Sequence, residues 1–147
     1  MNSVQIILAS SSQTRKALMD RLHIDYISVV PDIDESPRGE NHADDLAQRL
    51  AFEKARYIAE QNPEAIVIGS DQVAWREGAP DIFIGKPLTT EKAIRQLQAN
   101  SDKIVYFSTA LSVQQLSTGF EQSLVEHYKV KFRKLSQAEI ERYIEIE

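Results

Sequence analysis

The chain contains no cysteine, which excludes a disulfide framework and any thiolate metal or redox site. Glycine is scarce, at five residues in 147. None of the five falls in a glycine-rich P-loop or a G-x-G-x-x-G turn, so the two common glycine-based phosphate loops are absent. Long apolar runs are missing as well. Residues 4–9 are too short for a signal peptide and nothing approaches membrane-spanning length, so the expected location is the cytoplasm, with no membrane partner. The three histidines, His23, His42 and His127, show no metal-ligand spacing. Positive charge is in the minority, with 17 Lys and Arg against 22 Asp and Glu and a net charge of −5. No basic stripe is visible, which argues against a nucleic acid polymer as partner. Trp75 and the tyrosines read as packing groups rather than a base-stacking platform.

What is present is enough apolar material, 42% of residues, for one domain over 1–147 with a real core. A short strand over about 4–9 leads into a helix near 13–22, where Ala17, Leu18 and Leu22 share a face. Residues 25–30 alternate and are β-rich, giving a second strand, and Pro31 to Pro37 form an acidic loop. A strong helix follows over about 43–61, with Ala43, Leu46, Ala47, Leu50, Ala51 and Ile58 as its apolar stripe. The run 65–69 reads as a buried strand closed by Ser70 and Asp71, and 72–84 as a hairpin turning through Gly78-Ala79-Pro80. Thr89 or Thr90 caps a helix to about 99. Two β-rich segments, 103–115 and 122–133, precede a final helix that opens at Ser136 with Glu139 in capping-box spacing. Strands alternating with helices, followed by antiparallel strands, predict a mixed α/β fold.

Several side chains stand where chemistry could be done. In the stretch Leu8-Ala9-Ser10-Ser11-Ser12-Gln13-Thr14-Arg15-Lys16 a strand runs into three hydroxyls, two cations and a helix start, so backbone N–H groups and the positive helix end aim at one point. That arrangement suits an anion, most commonly a phosphate. The serines lack nucleophile-elbow glycines and no histidine is arranged as their base, so covalent serine catalysis is not expected. Asp71 follows an apolar strand, where α/β folds gather their ligands, although an Asp at that place also starts ordinary turns. Asp32, Asp34 and Glu35 put three hard carboxylates within four residues, a density that suits Mg²⁺ or Mn²⁺ but also a solvated loop. Lys54 falls on the apolar stripe of its own helix through the spacing Leu46, Leu50, Lys54, Ile58. Its ammonium either snorkels past the stripe or meets an anion at the mouth of the core. Lys86, in Gly85-Lys86-Pro87, is a second phosphate candidate, although the tripeptide alone favours a plain turn lysine.

Taken in order, these pieces resemble the Maf family of nucleoside triphosphate pyrophosphatases. The matching segments are Leu8 to Ser12 with Arg15 and Lys16, Pro31 to Glu35, Glu53-Lys54-Ala55, Ile68-Gly69-Ser70-Asp71-Gln72-Val73 and Gly85-Lys86-Pro87. The likeness extends to Leu135-Ser136 and Glu139-Ile140. Two stretches depart from the family pattern: Gln13-Thr14-Arg15-Lys16 replaces a proline followed by basic or bulky residues, and the hairpin over Arg76 to Ile84 is longer than usual.

The resemblance implies a mixed, twisted and elongated sheet flanked by helices, as in inosine triphosphatases. It implies hydrolysis of a nucleoside triphosphate to its monophosphate and pyrophosphate with a divalent metal, Mg²⁺ or Mn²⁺. Asp71 matches the proton acceptor and, with Glu35, the metal-associated carboxylates. Ser10, Ser12, Arg15, Lys16, Lys54 and Lys86 match the phosphate pocket, and Thr14 and Gln72 match positions tied to choice of base. Ser70-Asp71-Gln72-Val73 looks like the subfamily acting on 7-methyl-GTP, whereas relatives acting on dTTP and UTP usually carry Thr in place of Gln72. Family members often pair as homodimers. They also continue into a C-terminal segment that helps form the base pocket, and this part of the fold is expected to be absent here. A non-catalytic nucleotide-binding or cell-division role is the alternative expectation.

Overall fold

The computed structural model describes residues 4–146. Eleven elements follow one another, of which the sheet and four helices matter here: β1 (Ile6–Ala9), α1 (Gln13–Asp20), β2 (Ile27–Val29), α2 (Ala43–Gln61), β3 (Ile66–Arg76), β4 (Ala79–Ile84), α3 (Thr90–Asn100), β5 (Ile104–Gln115), β6 (Phe120–Lys131) and α4 (Gln137–Ile146). The six strands form one mixed sheet in the order β2-β1-β3-β5-β6, with β4 added to β3. β1 lies parallel to β2 and β3, while β3, β5 and β6 run antiparallel. No helix among the described residues is long and apolar enough to cross a membrane.

α2 is the spine of the core. Its stripe of Ala43, Leu46, Ala47, Leu50 and Ala51 packs with Val73 and Ala110, and Ala55, Ile58 and Ala59 pack with Ile7, Ala9 and Val67. Small residues dominate the stripe, so the helix lies close against the sheet. Gly69 sets that closeness: a Cβ there would stand 2.3 Å from the Ala51 carbonyl oxygen and 2.8 Å from the Ala55 nitrogen. The N-terminal end of α2 is fastened by Asp44, which accepts from the Ser108 hydroxyl and lies 2.8 Å from His127 Nε2. Trp75 Nε1 donates to the same Ser108 at 2.9 Å.

The caps read from the sequence are present at α3 and α4. Thr89 Oγ1 accepts from Lys92 N at 3.1 Å. Ser136 and Glu139 bond reciprocally, N–H to side chain, at 3.1 and 3.2 Å, which satisfies two otherwise unpartnered donors.

The strand expected to close at Ser70 and Asp71 instead continues to Arg76. Its backbone keeps pairing with β5 from Val67↔Gln114 to Arg76↔Val105, and a ladder satisfies backbone groups whatever the side chains are. The hairpin turn accordingly sits at Glu77 and Gly78, with Gly78 at φ +81°. Ala79 and Pro80 already belong to β4, where an edge position tolerates proline.

Candidate active site

The extension of β3 creates the site. On the side away from β5, β3 pairs with β1 only up to Ala9↔Gly69 and with β4 only from Ala74↔Ile84 onward. Ser70, Asp71, Gln72 and Val73 therefore lie at a split in the sheet. β1 peels away there into Ser10–Ser12 and the start of α1. The resulting cleft has a volume of about 850 Å³ and is lined by Ser10 to Arg15, Glu35, Lys54, Ser70 to Gln72, Lys86 and Thr109, among others. The parallel strands β1 and β2 point their carboxyl ends at it, as expected for ligand sites in α/β sheets.

The serine turn is held by its own hydroxyls. Ser10 is buried, and its Oγ accepts from Ser12 N at 3.0 Å. Ser12 caps α1, its Oγ accepting from Arg15 N at 3.3 Å. Both hydroxyl oxygens thus act as acceptors, which leaves each O–H free to donate. Gln13 and Thr14 line the cleft and open α1, where first-turn N–H groups have no carbonyl within the helix. Ser28 Oγ donates to the Ser10 carbonyl at 2.6 Å and fixes the turn to β2.

Lys54 decides between the two readings left open for it. Its side chain is buried, and its Nζ lies 2.8 Å from Asp71 Oδ1 and 2.7 Å from Glu35 Oε1. The lysine sits where the apolar stripe of α2 crosses the split, between its two packed clusters. An ammonium so placed would be costly without anionic partners, and it has two. Burial holds the Asp71 carboxyl above the ordinary value of 3.8, opposed by its hydrogen bond to Lys54 and by the charges of Lys54 and Arg15.

Of the three carboxylates of the acidic loop, only Glu35 lines the cleft, where Pro31 joins it. Asp34 is spent on a local turn, accepting from Ser36 N at 2.9 Å. The loop is tied to α2 by Arg49, which donates to the Ser36 carbonyl at 2.8 Å, bonds Glu40, and meets Glu53 at 3.1 Å. Arg38 adds a second link to Glu53 at 3.1 Å. The Arg38 N–H and the Arg49 guanidinium hold Glu40 down at about 2.

Arg15, Lys86, Thr14 and Gln72 share the cleft with these groups, so Ser10, Ser12, Thr14, Arg15, Glu35, Lys54, Asp71, Gln72 and Lys86 are brought together. Lys16 is not among the lining residues. It falls about 200° around the helix from both Thr14 and Leu18, which do face the cleft. Thr109 was not singled out from the sequence. It lies across from Gln72 in the β3–β5 ladder and accepts from Gln72 Nε2 at 2.9 Å. Its only signal would have been the register of two strands distant in sequence.

The sequence pattern of the family described as Maf-like protein matches residues 5–147. The chain belongs to the Maf-like protein family. Among relatives of this Maf-like chain, the nucleoside triphosphate pyrophosphatase of Acinetobacter baylyi is 66% identical over 146 residues, covering 99% of this chain and 74% of that protein. The 7-methyl-GTP pyrophosphatase of Polaromonas sp. is 44% identical over 142 residues, covering 97% of this chain and 64% of that protein. The 7-methyl-GTP pyrophosphatase of Pseudomonas savastanoi pv. phaseolicola is 45% identical, covering 97% and 72% respectively. In fold the chain is similar to the Ham1 protein of Staphylococcus aureus, with a TM-score of 0.59 at 17% identity over 86% of this chain and 71% of that one.

Proposed function

We propose that this protein hydrolyses a nucleoside triphosphate to the monophosphate and pyrophosphate, with a 7-methylguanine nucleotide as the preferred substrate. The observation that carries the reading is Asp71: a buried carboxylate, made more basic by burial, in a cleft that also holds Arg15, Lys54 and Lys86. Three cations against two carboxylates give the cleft a positive balance on a protein of net charge −5, which favours a polyanionic ligand at that place. The names of the relatives supply the reaction class and the methylated base.

In this mechanism the triphosphate lies against the serine turn and the start of α1, where Ser10 and Ser12 hydroxyls and first-turn N–H groups donate to its oxygens. Asp71 takes a proton from water as the water oxygen bonds to the α-phosphorus, and the bond from that phosphorus to the bridging oxygen breaks. Pyrophosphate leaves, its charge met by Arg15, Lys54 and Lys86. Gln72, with Thr14, meets the base.

Among the described residues no group of three or more His, Cys, Asp or Glu could hold a metal ion. Two hard carboxylates nevertheless converge on one point, within 2.8 Å of the Lys54 ammonium. That pair fits Mg²⁺ or Mn²⁺ when substrate phosphates and water complete the shell. Bound there, a divalent cation would lower the pKa of a water and neutralise phosphate charge. The protein is expected to release pyrophosphate, not orthophosphate, and to prefer 7-methyl-GTP over GTP, dTTP and UTP. Equal rates across that panel would remove the base assignment, and orthophosphate as the first product would remove the reaction.

A further inference from the structure

The two carboxylates that fit a divalent cation already share a cation of their own. Lys54 Nζ bonds Asp71 Oδ1 at 2.8 Å and Glu35 Oε1 at 2.7 Å from within the core stripe of α2. An ammonium that close neutralises half of the negative charge a metal would seek, and cation affinity of oxygen sites follows ligand charge. The Asp71 and Lys54 side chains are 12% and 11% exposed, so water screens their pairing poorly, whereas Glu35 is 59% exposed and its pairing is screened more.

Arg15 and Lys86 also line the cleft, and the Arg15 charge is felt at Asp71. Without a ligand, three positive side chains therefore oppose entry of a fourth cation. A triphosphate reverses this balance. Its oxygens give Lys54, Arg15 and Lys86 anionic partners other than the carboxylates, and they add hard ligands of their own.

Resting on the functional reading above, we propose that Lys54 is an internal counter-cation: it excludes divalent metal from the Asp71–Glu35 pair until a nucleotide's phosphates engage its ammonium. The metal then arrives with the nucleotide, or after it, and the free protein does not store one. The device gives selectivity, because a ligand lacking the polyphosphate leaves the ammonium on the carboxylates and the metal position closed.

The test is a titration with Mn²⁺ alone, followed by the electron paramagnetic resonance of free aqueous Mn²⁺, so no arm depends on turnover. Wild-type protein without nucleotide is expected to bind Mn²⁺ only weakly. Lys54→Met, which removes the charge and keeps the stem, should bind it at least about tenfold tighter. Lys54→Arg, which keeps the charge, should stay near the wild-type value. The double variant K54M/E35Q should lose the gain, which locates the ion between the carboxylates. Should Lys54→Met not fold, wild type decides the matter: a non-hydrolysable triphosphate analogue should raise uptake above that of the analogue alone plus that of the protein alone. Tight Mn²⁺ binding by wild type without nucleotide, or equal binding by wild type and Lys54→Met, overturns the proposal. If the binding pattern holds but no nucleotide is hydrolysed, the counter-cation role stands and the enzymatic reading falls.

Discussion

Replacing Gly69 by alanine adds one methyl group at the point where α2 and β3 touch. The new Cβ would stand 2.3 Å from the Ala51 carbonyl oxygen, 2.8 Å from the Ala55 nitrogen and 2.9 Å from the Ala55 Cβ. Two of these are backbone atoms of a 19-residue helix, so no side-chain rotation relieves the clash. To reach an ordinary contact, α2 must retreat by about 1 Å. That retreat opens the packing on both sides of the contact and costs about 2 to 3 kcal/mol, or about 4 to 12 °C in Tm for a domain of this size. Lys54 lies one residue before Ala55, and its bond to Asp71 is 2.8 Å long. The same displacement stretches that bond and misplaces the ammonium, which should lower kcat/KM by about tenfold to a hundredfold. Thermal or urea unfolding measures the first effect and pyrophosphate release the second. Gly85→Ala is the comparison for stability alone, because nothing stands within 4 Å of a Cβ there. If Gly69→Ala melts within about 1 °C of wild type, the close approach of α2 does not set the geometry of the cleft.

Removing the acceptor for Gln72 with Thr109→Val should lower the kcat/KM ratio between 7-methyl-GTP and dTTP by about fivefold, the equivalent of one hydrogen bond. Thr109→Ser should restore it, and an unchanged ratio in Thr109→Val would mean that Gln72 needs no positioning. The acid limb of the wild-type kcat/KM profile should report a group titrating above 3.8, because burial raises Asp71 and only the carboxylate accepts a proton. The same shift makes Asp71 itself a stabilising group below pH 3.8, an effect lost as pH rises through its raised folded value. Glu40 and Glu139 act in the opposite sense: each is held at about 2 against 4.5, so their stabilisation is complete above pH 4.5 and disappears as pH falls toward 2. Glu40→Gln, which weakens the tie between the acidic loop and α2, should flatten part of that acid dependence in a Tm-against-pH series.

The legible parts of the fold were those whose pattern is local. α2 shows its full length in the spacing of its alanines and leucines, and Lys54 was visible as the one polar intrusion in that stripe. What it intruded upon was not visible, because Glu35 and Asp71 approach it from a loop and a strand outside the helix. The sequence pattern closes the strand 65–69 at Ser70 and Asp71, because Ser70-Asp71-Gln72 breaks the apolar run. These residues keep their ladder to β5 and lose only the partner on the other edge, and a one-sided loss leaves no mark in the sequence. Lys16 shares with its chain neighbour Arg15 the expectation of a place in the phosphate pocket, yet the turn of α1 sends it away from the cleft. Thr109 sits in an unremarkable β-rich run, and its link to Gln72 exists only through strand register. The resemblance to the Maf family brought together what local pattern could not.

In the proposed reaction Asp71 takes the proton from a water that attacks a nucleoside triphosphate at the split in the sheet. Pyrophosphate release from 7-methyl-GTP, measured with saturating Mg²⁺ or Mn²⁺ for wild type and Asp71→Asn side by side, reads that role. Wild type should release pyrophosphate, and the variant should be at least about a hundredfold slower while unfolding at a similar temperature. Equal release by both proteins would mean that Asp71 does not accept the proton.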